Sequence, residues 1–250
     1  MKPFARFLSL LLSLLLLAAS AAADSKPKAR EITADVVQEI PEIIQQVLDK
    51  AYDEWLAADA QELKECNQYT EWRGAGYKFG WCGGFITKCM LDLEIPQEEK
   101  NKTPSGEVAG VVHVKEAGVG KLYDGYARMN RITRIPQKGF LAVFGDRNGG
   151  FLHIGLVYDV EKLSDGKYRI TTIEGNVDSP GDSTHRGAGH TIRMYTRDYD
   201  MNAEKKQKDL TLVPEEERTR EENALFSYDY TYGNKSLYIN IFLMPWIPEE

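Results

Sequence analysis

Trp81-Cys82-Gly83-Gly84-Phe85-Ile86, continued by Thr87-Lys88-Cys89-Met90, is the stretch on which the fold turns. Ahead of it, Gln68 to Gly80 is crowded with Tyr69, Trp72, Gly74, Gly76, Tyr77, Phe79 and Gly80. Glycine at that density does not sustain a regular helix, so this segment reads as a loop folded over something. From Cys82 onward the pattern is apolar and helical, with Phe85, Ile86, Cys89 and Met90 on the inner face, and it runs to about Ile95 before Pro96. Cys82 therefore stands at a helix start. Unpaired N–H groups and a partial positive charge there favour a thiolate. An inert buried cysteine is the alternative at the same position.

Beyond Pro136 the pattern changes to strands. Phe140 to Phe144 is the first and His153 to Val160 the second. Lys167 to Glu174 is the third, with Tyr168, Ile170 and Thr172 on one face, and His190 to Thr196 is the fourth. Ser164-Asp165-Gly166 is a hairpin signal between the second and third. Leu237 to Phe242 offers a last strand. Upstream, Ile32 to about Ala60 has helical spacing, with Ile40, Ile44, Val47, Leu48, Ala51, Trp55 and Leu56 as its stripe. Pro41 either begins a helix or separates two short ones. Helices first and sequential antiparallel strands afterwards predict an α+β fold. Residues 96–135 are expected to form short helices and loops. The charged run from Ala203 to Asn223 reads as a solvated segment.

The chain opens with Lys2 and Arg6, an apolar run from Phe7 to Ala19, and Ala21-Ala22-Ala23 before Asp24. That is the pattern of a secretory signal peptide, cleaved after Ala23. An uncleaved anchor is the alternative, although the apolar run is short for a membrane span. Cleavage would leave 227 of the 250 residues, enough for one substantial core. Loss of Lys2 and Arg6 would take the net charge from −7 to −9. Such a charge argues against nucleic acid or an anionic membrane surface as partner. The division expected is a signal peptide over 1–23, a helical lead over 24–62 packed on the domain, a catalytic domain over 63–200 and a C-terminal extension over 201–250. The three cysteines are Cys66, Cys82 and Cys89. In an exported protein Cys66 and Cys89 are either a disulfide or two small buried hydrophobes.

Side chains along a strand alternate, so His153 and Gly155 share a face, as do Glu174 and Asn176. A histidine beside a glycine suggests an open site rather than a packed core. Thiol, imidazole, carboxylate and amide in that order are a candidate nucleophile, base and orienting pair. If the two strands are neighbours, Glu174 or Asn176 can accept a bond from the His153 ring and fix its tautomer. His113, His185 and His190 sit in contexts that fit less well, and no spacing resembles a zinc site. Gly145-Asp146-Arg147-Asn148-Gly149-Gly150 lacks the downstream acids of a calcium loop and reads as a turn.

At these residues the chain resembles the CHAP family, the cysteine, histidine-dependent amidohydrolases/peptidases. Tyr69-Thr70-Glu71-Trp72 resembles the aromatic lead before the nucleophile, and Trp81 to Cys89 resembles the nucleophile helix with its frequent second cysteine. His153-Ile154-Gly155-Leu156-Val157 resembles the histidine strand, and Ile173-Glu174-Gly175-Asn176 the Glu-Gly-Asn strand end. The likeness covers roughly Tyr69 to Thr196. It departs at Pro136-Gln137-Lys138-Gly139-Phe140, where the family usually has Pro-Gly-Asp. The resemblance implies a papain-like fold and secreted hydrolysis of an amide bond, with peptidoglycan or its peptide fragments as partner and no metal or organic cofactor. It implies Cys82 as nucleophile, His153 as base, Glu174 as the orienting carboxylate and Asn176 as support. Tyr77 and Trp81 are expected to border the cleft. The alternatives are a secreted binding protein without turnover and a cysteine peptidase or amidase with a non-wall substrate.

Overall fold

The structure is a computed structural model that describes residues 27–58, 63, 67–74, 76, 80–98, 110–145, 150–177, 191–203 and 238–249. Four helices are described: α1 (Glu42–Ala58), α2 (Gln68–Glu71), α3 (Cys82–Asp92) and α4 (Val119–Arg128). Two short strands, β1 (Gln97–Glu98) and β2 (His113–Val114), pair in parallel. Six more strands build the main sheet: β3 (Ile132–Thr133), β4 (Leu141–Gly145), β5 (Phe151–Ser164), β6 (Lys167–Val177), β7 (Thr191–Asp200) and β8 (Tyr238–Leu243). Their order is β3-β8-β4-β5-β6-β7, and every neighbouring pair is antiparallel. The fold is α+β.

Pro41 begins a helix rather than dividing two. Its carbonyl accepts from the Ile44 and Gln45 N–H groups, and the chain before it is not helical. Ile44, Val47, Leu48 and Ala51 are buried as the helical period requires, but Leu56 falls off the stripe and is exposed. The non-helical lead packs Ile32, Val36, Val37 and Ile40 on the core. Gln137, fully buried, pins that lead. Its Oε1 accepts from the Val37 N–H at 2.9 Å and its Nε2 donates to the Asp35 carbonyl at 2.8 Å. One residue on, the Lys138 carbonyl accepts from Trp246 Nε1 at 2.9 Å. Pro136–Phe140, where the chain departs from the family pattern, thus ties both ends of the described chain to the sheet.

β5 and β6 form the expected hairpin, with Ser164 opposite Lys167 and Gly166 at φ 73. Residues 238–243 are not an appendage. β8 lies between β3 and β4 and pairs with β4 from Leu141 to Gly145. The domain boundary expected at 200/201 therefore does not hold: a strand of the sheet's interior comes from beyond it, with Phe242 and Leu243 fully buried. The apolar run Leu237–Phe242 was expected as a last strand, but its place in the order depends on pairings distant in sequence.

α3 lies on β5 and β6, and α1 covers α3 together with β6 and β7. Phe85, Ile86 and Met90 of α3 are wholly buried. Each contributes on the order of 2 kcal/mol by leaving water. Close approach is possible because Gly175 stands on β6 under the helix. A Cβ there would lie 2.7 Å from both Phe85 Cβ and Trp81 Cζ3. Tyr69 of α2 stacks on Trp81 at 5.1 Å, meets Phe85 edge-on at 5.3 Å, and donates its hydroxyl to Glu54 Oε2 at 2.6 Å. The aromatic lead therefore sets the start of α3 from one side while β6 sets it from the other.

Candidate active site

The start of α3, the head of β5 and the end of β6 meet at Cys82, His153 and Glu174. Cys82 is the first residue of α3 and is 6 % exposed, while His153 is 1 % exposed and Glu174 fully buried. The His153 ring interacts with the Cys82 side chain on one side and is hydrogen-bonded to Glu174 on the other. Its Nε2–H donates to Glu174 Oε2 at 3.1 Å. Nε2 is thereby occupied, which leaves Nδ1 as the ring nitrogen for the sulfur. Burial opposes a charge on this ring. The Cys82 sulfur and then the Glu174 carboxylate outweigh burial, and the imidazolium persists up to about pH 9.

Glu174 reaches the ring across Gly155. A Cβ at 155 would sit 2.6 Å from Glu174 Cγ and 3.2 Å from its Cδ, so the glycine face expected beside His153 is the seat of the carboxylate. The second oxygen, Oε1, accepts from Arg197 Nη1 at 2.6 Å and from the Thr172 hydroxyl. Arg197 Nη1 also donates to Thr172 Oγ1 at 2.8 Å. Burial would push the Glu174 carboxyl up. The Arg197 guanidinium, His153 and Thr172 together hold it well below the usual carboxylate range. Glu174 is thus ionised and fully hydrogen-bonded, as a buried carboxylate must be.

Asn176 follows at φ 62, a left-handed conformation that asparagine tolerates better than most residues. It is 5 % exposed, and its Nδ2 would lie 3.5 Å from a Cβ at Gly80, two residues before Cys82. Its amide therefore faces the loop that leads into Cys82, and its Oδ1 is buried without a hydrogen-bond partner. Trp81, expected at the rim of the cleft, is wholly buried between Tyr69 and Gly175. Its large apolar ring is worth more in the core than at a wet edge, so it positions α3 rather than lining a cleft. Tyr77 and Cys66 lie outside the described residues, as do His185 and His190, the 146–149 turn and the charged run beyond Ala203.

The other described cysteine and histidine have structural roles. Cys89 is a free thiol, and burial pushes it up to about 12. His113 joins α3 to α4: Thr87 Oγ1 lies 2.9 Å from its Nε2 and Tyr126 Oη 2.9 Å from its Nδ1. Thr87 donates its own proton to the Glu116 carbonyl at 2.6 Å, so the ring must donate from Nε2 and accept at Nδ1. Burial holds the ring neutral down to about pH 3.

Sequence reasoning missed Arg197 and Thr172. Thr172 was placed on the face of Tyr168 and Ile170, which is the face that carries Glu174 two residues on. Arg197 lies one residue past the expected end of its strand. Its signal was weak: Arg193, Tyr195 and Arg197 alternate on one face of β7, and a charged residue at such a position is usually solvated. No family model, curated protein or solved structure among those compared matches this chain.

Proposed function

We propose that the chain is a secreted, thiol-dependent amide hydrolase with a papain-like arrangement, acting on peptidoglycan or peptides derived from it. The observation that carries the reading is the His153 ring held between the Cys82 side chain and the Glu174 carboxylate. The four motif resemblances support the substrate class and export.

In this reading the Cys82 sulfur attacks the scissile carbonyl carbon and a C–S bond forms. The developing oxyanion is met by N–H groups of the first turn of α3, which have no partner within the helix. Such a donor is worth roughly 3 kcal/mol in the transition state. The proton on His153 passes to the amine nitrogen as the C–N bond breaks. Water then attacks the thioester and gives a proton to His153, and the sulfur leaves. Glu174 keeps the ring oriented and supports its charge throughout. Asn176, beside Gly80, supports the approach to Cys82.

A binding protein without turnover is the second reading, and the slight exposure of Cys82 favours it. One experiment separates the two. Cys82→Ala and His153→Ala proteins are compared with the parent on purified cell walls, with products weighed by mass spectrometry. The hydrolase reading expects amide cleavage by the parent, none by folded Cys82→Ala, and a similar loss in His153→Ala because the two groups act as a unit. Cleavage by folded Cys82→Ala would remove the mechanism. Absence of cleavage by the parent, with slow labelling of Cys82 by iodoacetamide, would leave the binding reading.

A further inference from the structure

The buried groups around His153 form a charge ledger that the catalytic trio alone does not balance. A thiolate at Cys82, an imidazolium at His153 and a carboxylate at Glu174 sum to one negative charge in a place almost closed to water. A net charge taken out of water is strongly unfavourable unless an opposite charge answers it. The chain supplies a fourth charge. Arg197 extends from β7 along the face it shares with Tyr195 and reaches Glu174 Oε1 at 2.6 Å, on the carboxylate edge opposite the ring. Its guanidinium lies 4.7 Å from the centre of the Tyr195 ring and 5.0 Å from that of Phe144 of β4, and the residue is 5 % exposed. Thr172 bridges the two by accepting from Arg197 and donating to Glu174.

Among the described residues the charged and titratable groups that face the pair are therefore Cys82 from α3, His153 from β5, Glu174 from β6, and Arg197 and Tyr195 from β7. β4 contributes only the Phe144 ring. Arg193, the register partner of Glu174 on β7, is the other cation of that strand face. With Arg197 present, the thiolate form of the cluster is neutral. Without it, the neutral form is the one in which Cys82 keeps its proton.

We propose that Arg197 is the positioning residue of the site: it fixes the far oxygen of Glu174 and balances the charge that appears when Cys82 and His153 form an ion pair. The inference rests on the hydrolase reading for its purpose, not for its geometry. A guanidinium stays charged over the whole working range and offers a planar fork with stacking faces, which an ammonium does not. Arg197→Gln keeps a neutral donor on a shorter side chain and removes the charge. The proton of the pair should then leave at higher pH, and the iodoacetamide profile of Cys82 should move to the alkaline side by about one unit or more. One unit corresponds to a tenfold loss of alkylation rate at any pH below the parent midpoint. Arg197→Lys should restore most of the profile while lowering kcat, because the charge returns without the planar group that lies over Tyr195 and Phe144.

The test is the pH–rate profile of Cys82 alkylation between pH 5 and 10, read by peptide mass on the parent, Arg197→Gln and Arg197→Lys proteins, with folded fraction taken from circular dichroism. A shifted Arg197→Gln profile rescued by Arg197→Lys supports the proposal. A folded Arg197→Gln protein with the parent profile overturns it, since a purely structural arginine would alter the folded fraction and not the midpoint. Should Arg197→Gln fail to fold, Arg197→Lys decides alone: the parent midpoint with reduced kcat supports the proposal, and an alkaline shift overturns it. A parent thiol no faster than glutathione whose profile still shifts in Arg197→Gln would sink the hydrolase reading and leave this inference standing. A fast parent thiol with an immobile profile would do the reverse.

Discussion

Alanine at position 155 should disable the site without touching any group that does chemistry. The new methyl carbon would stand 2.6 Å from Glu174 Cγ and 3.4 Å from Oε1. Carbon atoms in contact settle at about 3.5–4.0 Å, so the side chain must withdraw by about 1 Å. It has no free direction in which to do so, because Oε1 is held by Arg197 and Thr172 and Oε2 by His153. The weakest of these ties is the 3.1 Å bond to the ring, which a further ångström carries out of hydrogen-bond range. Overpacking costs about 1–3 kcal/mol and the lost charge-assisted bond about 1.5–3 kcal/mol, so stability should fall by roughly 3–5 kcal/mol. A base misplaced by about 1 Å should cost on the order of 100-fold in turnover. Urea denaturation and wall-lysis rates measure the two effects separately. Gly120→Ala is the matched control. Its nearest new neighbour is Phe151 Cδ2 at 3.9 Å, and within α4 the change should stabilise by about 0.5–1 kcal/mol. Gly155→Ala protein with unchanged stability and unchanged alkylation of Cys82 would refute the placement of Glu174 over this glycine.

In the folded protein the His153 ring should titrate near pH 9 by NMR, and both Cys82→Ala and Glu174→Gln should bring the midpoint down; a midpoint near 6.5 in the parent would show that neither partner faces the ring. His113 gives an acid-side prediction of opposite sign. Its folded value is about 3 against an ordinary 6.5, so the unfolded chain binds the proton first as pH falls. The stability it contributes is complete above pH 6.5 and drains away towards pH 3, amounting to about 3 kcal/mol lost by pH 4.5. His113→Gln should flatten the denaturation midpoint across that range, and an equally steep loss in the variant would assign it elsewhere. The lowered Glu174 carboxyl adds its own loss only below its ordinary value near 4.3, so the part of the window above pH 4.5 reads His113. A chain ended after Ala203 lacks β8 and leaves β4 unpaired along one edge. It should lose cooperative unfolding, whereas a fragment that unfolds sharply and retains fast alkylation of Cys82 would show the strand to be dispensable.

How much of this was legible in the chain depended on the range of the interaction. α3, the β5–β6 hairpin and the alternation that puts Glu174 and Asn176 on one face are local, and local periodicity carried them. Pro41 left two possibilities, because a proline fits both a helix start and a break, and only the core packing of residues 32–40 separates them. The central position of β8 was not legible. A six-residue strand shows its pleat, but not which of several distant strands will accept it. Trp81 was misjudged because an aromatic residue beside a nucleophile suits a cleft and a core equally until Gly175 and Tyr69 are seen on either side. Arg197 escaped because sequence gives no measure of burial for a single charge.

The position of β8 and that of Arg197 belong to one argument. Glu174 can be both buried and ionised only if something on its far side answers its charge, and the answering guanidinium lies over Phe144 of β4. Phe144 is held on one side by β5, where it pairs with His153, and on the other by β8, where it pairs with Ile239. A strand from the far end of the chain thus fixes the strand that carries the ring on which the counter-cation rests. The electrostatics of His153 are therefore set by the order of the whole sheet and not by the His153 and Glu174 strands alone. That is why residues remote from Cys82 in sequence should change its reactivity while α3 itself stays intact.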